Sequence, residues 1–503
     1  MAILSAWSKY RLVIILTVLV MALYLLTLAP TVLWGDDAYL QRTAFEASLR
    51  PDGAGHWLWL TLARLMIRLP FGEITYRVNL VSALAGTATI TGLFLAARSL
   101  GLSKEAATVA AATLAVAHTF WMHAVRAEVY TVFTVLMVAE LLLLFRWNEQ
   151  NPWPLYGTLA LFGLTLLGHQ MAVLLGPAMA FLIWRRKQWL SLRDWLLSTT
   201  ALAAGLLPAL IIIQRQILAP DLVHSLVLYF THSGEDFRGS LFDYSLGLFP
   251  RDLALWGMFL ALQFPSPAIL LALLFIGDVR EWIRRDQDRW QALLLLYVTC
   301  IAFAFSYRVN DQYVFYLPSY VAFALIAGRG WDFIAARWPW LKRPLPRRVL
   351  VGSIVVLPPL VYWGMSVTFR QLDVNPLHIR ELPGREPNSF FLWPGKGGYW
   401  GARDYGEDAL LGLPSDSVLL ADHTPFHTLK YLQVVEGMRS DVRLRQIGPD
   451  VDLNRVVESF PASSIIFLAD NDPRYYNLQS LLNMRLVRRG VVYQLVGSTE
   501  SGG

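Results

Sequence analysis

One cysteine stands in 503 residues, Cys300, and it lies inside an apolar run. An intrachain disulfide is therefore excluded, and without a second Cys the cysteine-based zinc-ligand spacings are missing too. Charge is equally scarce. Asp, Glu, Lys and Arg make up 16% of the chain against 55% hydrophobic residues, too little to cover a soluble domain of this size. The net charge of +6 would suit nucleic acid only if clustered; the basic residues are instead dispersed at the ends of apolar runs, which excludes that class. No internal repeat is present. What remains is an integral membrane protein with a mean hydropathy of +0.43 and 19 Trp and 20 Tyr, residues suited to membrane interfaces.

Apolar runs of membrane-spanning length predict eleven helices, at 12–29, 78–97, 106–121, 129–145, 154–169, 171–184, 195–213, 252–277, 290–306, 313–328 and 349–367. Basic residues crowd the short connections on one side, as in Arg185, Arg186, Lys187 and Arg193, or Lys342, Arg343, Arg347 and Arg348. By the positive-inside rule that side, with the N-terminus, is cytoplasmic. An odd number of spans then carries everything after 368 outside. The N-terminal run reads as a retained helix, not a signal peptide, and the short termini fit a bacterial inner membrane.

This topology collects the reactive side chains on one face. Asp36 and Asp37 open the first external loop, 30–77; Arg126 and Glu128 lie in the second and His169 at the third. His224, His232, Glu235 and Asp236 follow in the loop 214–251, and Arg308 and Asp311 in the fifth. Glu140 falls inside the fourth span, about 18 Å below Glu128 at about 1.5 Å per residue, where an interhelical hydrogen bond is expected.

Beyond the membrane unit 1–368, residues 369–401 form a linker or a lid, rich in Pro and Gly. The tail 402–503 alternates strand patterns at 417–422, 441–447, 464–469 and 486–496 with helical stretches 427–439, 452–459 and 475–484. The expected fold is thus an all-α polytopic membrane protein carrying a small extracytoplasmic α/β domain. That tail has no Gly-rich phosphate loop, so nucleotide binding is not expected.

Several segments resemble one family. They are Ala29-Pro30-Thr31-Val32 before Asp36, Tyr76-Arg77-Val78-Asn79-Leu80, Phe120-Trp121, Ala127-Glu128-Val129-Tyr130, Gly168-His169, Leu262-Gln263-Phe264-Pro265 and Val314-Phe315-Tyr316-Leu317-Pro318, with Ala402-Arg403-Asp404-Tyr405 and Tyr431 to Gly437 in the tail. The family is that of multi-pass membrane proteins which includes the eukaryotic transmembrane protein O-mannosyltransferase. The resemblance implies the GT-C architecture: an inverting glycosyltransferase that uses a polyprenyl-phosphate-linked sugar, with its catalytic Asp in the first external loop. Two places depart from the family pattern. Asp36-Asp37-Ala38-Tyr39 stands where Asp-x-Gly-Glu is usual, and Asp52-Gly53-Ala54-Gly55 where His-Pro-Pro-Gly is usual. The first-loop carboxylate is kept, so the chemistry carries over while the acceptor does not.

Sugar transfer to a hydroxyl needs a base for the acceptor proton and cationic or hydrogen-bonding groups for the departing phosphate. Asp36 is the expected base, its competing role being a helix N-cap; Asp37 and Asp311 are expected to support it or cap helices. Glu128 has three candidate roles: orienting Arg126, positioning the acceptor, or capping its helix. Arg126 and His169 are the expected phosphate contacts, with an interhelical packing role as the alternative for His169. Asp36, Asp37 and Glu128 are the set a divalent ion would use, but a monophosphate donor needs none, and no metal or cofactor is expected. The expected partners are the lipid-linked donor, a hydroxyl acceptor and the bilayer. A transporter or flippase of an anionic lipid-linked substrate is the competing class. Glu140 would suit it, while the odd span count, the lack of paired halves and the external domain speak against it.

Overall fold

The computed structural model describes residues 2–46, 56–166, 168–216, 221, 223, 246–275, 287–309, 311–482 and 484–497. Helices dominate, in chain order α1 (Ala2–Leu26), α2 (Asp36–Glu46), α3 (Trp57–Ile67), α4 (Ile74–Ser99), α5 (Lys104–Ala115), α6 (His118–Ala124), α7 (Tyr130–Arg146), α8 (Trp153–Leu166), α9 (Gly176–Arg186) and α10 (Leu192–Gln216). There follow α11 (Phe249–Gln263), α12 (Asp288–Ser306), the single turn α13 (Gln312–Phe315), α14 (Leu317–Arg337) and α15 (Pro344–Gln371).

Helical residues lie in every one of the eleven apolar runs. Among the described residues, only α4, Leu192–Ile211 within α10, α12 and α15 are long and apolar enough to cross a membrane by length and composition. The remaining runs hold helices that are shorter, broken or more polar, so eleven crossings do not follow from helix length. The run 106–121 shows why. It breaks between α5 and α6, and the freed carbonyls find partners: Tyr24 donates to Ala115 O at 3.0 Å and Tyr362 to Val116 O at 3.2 Å. Gln263, where α11 ends, accepts from Thr119 N at 2.8 Å and donates to Thr119 Oγ1 at 2.7 Å. Two broken helices are thus latched together, which satisfies backbone groups that lipid could not. Elsewhere small residues bring helices close. A side chain at Gly163 would meet Leu202 O at 2.6 Å, so α8 and α10 pack backbone to backbone.

Past α15 the chain runs through α16 (Pro387–Leu392) and α17 (Gly401–Leu411) into a mixed sheet. Strands β1 (Val418–Ala421), β2 (Arg443–Gln446), β3 (Ile466–Leu468), β4 (Met484–Arg489) and β5 (Val492–Gly497) stand in the order β2-β1-β3-β5-β4, with β2, β1 and β3 parallel and β5 antiparallel to β3 and β4. β1 and the central strand β3 are buried at every position, while edge strand β2 carries exposed Arg443 and Arg445 that discourage further pairing. Helices α18 (His423–Val435) and α19 (Leu453–Glu458) supply the crossovers. Two expectations for the tail are corrected. The stretch 486–496 is two strands, turned at Gly490 with φ 61°, and the described residues of 475–484 hold a 3-10 turn at Leu478–Ser480 and the start of β4 at Met484 in place of a helix.

Candidate active site

The site begins at a sharp turn. Gly35 has φ 57°, a left-handed conformation that costs a side chain about 1–2 kcal/mol, and its carbonyl accepts the first helical bond of α2 from Tyr39 N at 2.9 Å. Asp36 and Asp37 are therefore the first two residues of a helix, where negative charge is favoured, and the turn sends them to different partners. The loop before them is pinned on both sides. Ala29 N donates to Val125 O and Ala29 O accepts from Asn79 Nδ2, at 2.9 and 3.0 Å. From the tail, Thr428 Oγ1 donates to Leu33 O at 2.8 Å, and Gly35 N donates to Thr424 O at 3.0 Å.

Asp37 is buried and faces Arg126, whose Nη1 lies 3.6 Å away. Arg126 Nη2 also donates to Glu128 Oε1 at 3.0 Å, and His123 Nδ1 stands 3.6 Å from that oxygen. Glu128 is fixed through its backbone: Ser82 Oγ donates to its carbonyl at 3.0 Å and accepts from its N–H at 3.2 Å. Desolvation pushes the Asp37 and Glu128 carboxyls well up, against the pull of Arg126. Burial works against the Arg126 charge too, but the two acids outweigh it and the guanidinium stays charged.

Asp36 differs. Its side chain is 68% exposed, and His423 Nε2, from the start of α18, lies 2.9 Å from Oδ1. Desolvation raises its carboxyl, but the hydrogen bond and charge of His423, with His427 and Arg126, outweigh it and hold the group below its ordinary value. The open carboxyl thus remains ionised while its buried neighbours lean toward protonation. Environments that part neighbouring acids in this way assign them different work.

The segment 376–401 lies across the same place. Lys396 N donates to Thr27 O at 2.8 Å, and Trp393 meets Trp121 edge-on at 5.4 Å. Lys396, 2% exposed, turns its Nζ onto Trp393 O at 2.7 Å and Pro394 O at 3.2 Å. Desolvation depresses its amine strongly, as do the charges of Arg126 and Arg385, while Asp37 acts the other way. Arg385 stacks on Phe390 at 4.7 Å, and its buried Nε has no hydrogen-bond partner among the described residues. Two guanidiniums and the depressed Lys396 amine therefore surround Asp37, an arrangement in which an incoming anion favours the charged amine.

His169 is placed apart from Arg126. It stacks on Phe133 at 4.7 Å and His56 at 5.2 Å and accepts from Met171 N at 3.3 Å, on the wall of an apolar cavity with Leu58, Trp59 and Val132. His56 connects it to the site: burial lowers the His56 imidazole to about 4, against the attraction of Asp36. Asp311 is exposed at the start of α13 and makes no side-chain cap bond; desolvation and the Asp36 charge raise its carboxyl. Arg308 pairs with Asp252 at 2.9 Å. Glu140 accepts from Thr165 Oγ1 at 2.5 Å, the interhelical bond expected of it. His224, His232, Glu235, Asp236 and the segment Asp52 to Gly55 lie outside the described residues. Among the described residues no group of three or more His, Cys, Asp or Glu is arranged to hold a metal ion.

Sequence reasoning missed His423, His56, Lys396 and Arg385. Lys396 carried a faint signal, a lone cation in the Trp393 to Trp400 segment already suspected of covering the site.

The fold is that of the GT-C glycosyltransferases. ArnT from Cupriavidus metallidurans aligns over 99% of this chain at 14% identity, with TM-score 0.57 in the apo state, covering 100% of that chain, and 0.56 bound to undecaprenyl phosphate, covering 99%. The Archaeoglobus fulgidus oligosaccharyltransferase AglB, in complex with an inhibitory peptide and a dolichol-phosphate, aligns over 92% of this chain and 70% of its own, with TM-score 0.50 and 10% identity. Within that class, residues 51–192 match the family described as the protein O-mannosyl-transferase TMEM260 N-terminal domain. The Mus musculus protein O-mannosyl-transferase TMEM260 is 30% identical over 199 residues, which is 38% of this chain but only 28% of that relative's length. The family match takes in Arg126, Glu128 and His169 and begins after Asp36.

Proposed function

We propose that this chain is an inverting membrane glycosyltransferase that moves a sugar, of the mannosyl type, from a polyprenyl-phosphate donor to a hydroxyl acceptor on the extracytoplasmic face. The observation that carries the reading is Asp36, an exposed ionised carboxylate beside buried basic side chains, Arg126, Arg385 and Lys396. The acceptor oxygen attacks the anomeric carbon while its proton passes to Asp36; the bond from that carbon to the phosphate oxygen breaks, and the electron pair leaves with the polyprenyl phosphate. Attack opposite the leaving group inverts the anomeric centre. Arg126, Arg385 and Lys396 are placed to meet the phosphate charge as it develops. Glu128 orients Arg126, and Asp37 holds it from the other side. His169 belongs to the apolar wall in this reading, which assigns the phosphate to the cations instead. The charge asymmetry of the connections supports eleven crossings, a cytoplasmic N-terminus, an inner-membrane location and an external tail.

The names of the relatives support this assignment: a protein O-mannosyl-transferase, and a structure holding undecaprenyl phosphate. Purified protein in nanodiscs, given radiolabelled polyprenyl-phosphate mannose and candidate acceptors, should release polyprenyl phosphate. In Asp36→Asn, turnover should fall by about two to four orders of magnitude with donor still bound. Full transfer by that variant would remove Asp36 from the mechanism, and lipid movement without cleavage would favour a carrier.

A further inference from the structure

The Asp36 carboxylate is held by a residue 387 positions away in the sequence, in the helix that follows β1. We propose that His423 is a positioning residue for the transfer reaction, so that the tail domain completes the active site and is not merely appended to it. This rests on the assignment of Asp36 as the base. His423 Nε2 lies 2.9 Å from Asp36 Oδ1; with the carboxylate ionised, the ring nitrogen donates, which directs Oδ2 toward the acceptor.

The supports behind His423 are specific. His427, one turn on and 2% exposed, meets its ring edge-on at 4.5 Å and itself packs against Tyr39 of α2 at 5.1 Å. The preceding residue, Asp422, caps α18 by accepting from Thr424 N at 3.0 Å. Asp422 is in turn gripped by Arg380, which donates to both its oxygens at 2.7 Å and to Asp470 at 2.7 Å, stacked at 3.9 Å on Tyr475. A bidentate pair of this kind fixes direction as well as distance. The domain is also tied to the first loop: Arg403 donates to Thr31 Oγ1 at 2.6 Å and reaches Glu73 at 3.3 Å, and Trp34 donates to the Tyr399 hydroxyl at 2.7 Å. The start of α18 is therefore a fixed point against which the carboxylate is set.

His423→Ala and His423→Gln in nanodiscs test the assignment, with donor affinity, kcat and the pH profile measured for each. In the Ala variant kcat should fall roughly 10²-fold, the effect of a displacement of about 1 Å at a reacting group, while donor affinity stays within about two-fold of wild type because the phosphate contacts are untouched. The acidic limb should move to higher pH. The other groups that face Asp36, namely Asp37, His56, Arg126, Asp311 and His427, are all kept, so the shift reports the lost donor alone. Gln, whose amide still donates, should recover most of kcat. An Ala variant with wild-type kcat and an unmoved acidic limb overturns the proposal, as does a Gln variant no better than Ala. If wild-type protein transfers no sugar at all, the assignment of function fails first, and the two failures are told apart.

Discussion

Removing Arg126 tests the electrostatics of the site more directly than any other change. Its guanidinium lies 3.0 Å from Glu128 and 3.6 Å from Asp37, with side-chain exposures of 12%, 9% and 4% for the three. Arg126→Met keeps most of the apolar stem and deletes the charge, leaving Glu128 without its ion-pair partner and Asp37 with only the more distant Lys396 and Arg385. Breaking a buried pair in this way costs about 3–5 kcal/mol. The cost depends on pH in a definite sense. Both carboxyls are already raised by burial, so the folded state keeps its protons to higher pH than the unfolded state does; each therefore favours folding at low pH and loses that contribution as pH rises through its folded value. Arg126 opposes the rise, and deleting it lifts both groups further. Between pH 5 and pH 8 the destabilisation of the variant should widen. Thermal or SDS unfolding in bicelles at both pH values measures it, with Arg126→Met/Glu128→Gln expected to recover part of the loss. A penalty equal at pH 5 and pH 8 would refute the reasoning, because packing alone does not titrate.

Lys396→Met and Arg385→Met should each weaken donor binding by about 1.5–3 kcal/mol, the worth of a hydrogen bond to a charged group, and unchanged titrations with a lipid-phosphate donor would take both out of the phosphate site. Gly35→Val should cost about 1–2 kcal/mol in backbone strain and lower kcat as well, since the turn that presents Asp36 is disturbed; a stability loss with full activity would detach the turn from the chemistry. Gly205→Leu would drive a side chain into Ala160 O where α8 meets α10, and should lower the melting temperature without moving the pH profile. A phosphatase fused after residue 497 should be active and a cytoplasm-only reporter silent; the reverse pair would remove an odd number of crossings.

The local parts of the site were legible. Asp36 and Asp37 behind Gly35, and Arg126 two residues before Glu128, are short-range patterns, and charges flanking apolar runs stand out. The His423 contact was not, because it depends on how α18 docks; the pairing of His423 with His427 one turn on was the signal that could have singled it out. The break between α5 and α6 was equally hidden. The run 106–121 is mostly apolar, with no Pro or Gly to mark a break, and the break is held by Tyr24, Gln263 and Tyr362 from distant helices. In the tail, the helix expected at 475–484 failed because Tyr475 and Tyr476 serve the domain core and the Arg380 network.

The distance along the chain between Asp36 and His423 also sets an order of events during synthesis. At about 5–20 residues per second, the first loop waits roughly 20–80 s for the residue that holds its carboxylate. Even then β1 needs β3 beside it, and β3 needs β5, which ends at Gly497. A chain synthesised only through α15 still carries an Asp36 without His423, and the sheet behind that contact is complete only once β5 has been delivered. A chain cut before β3 would keep α1 to α15 and lack the strands that stand beside β1 behind His423.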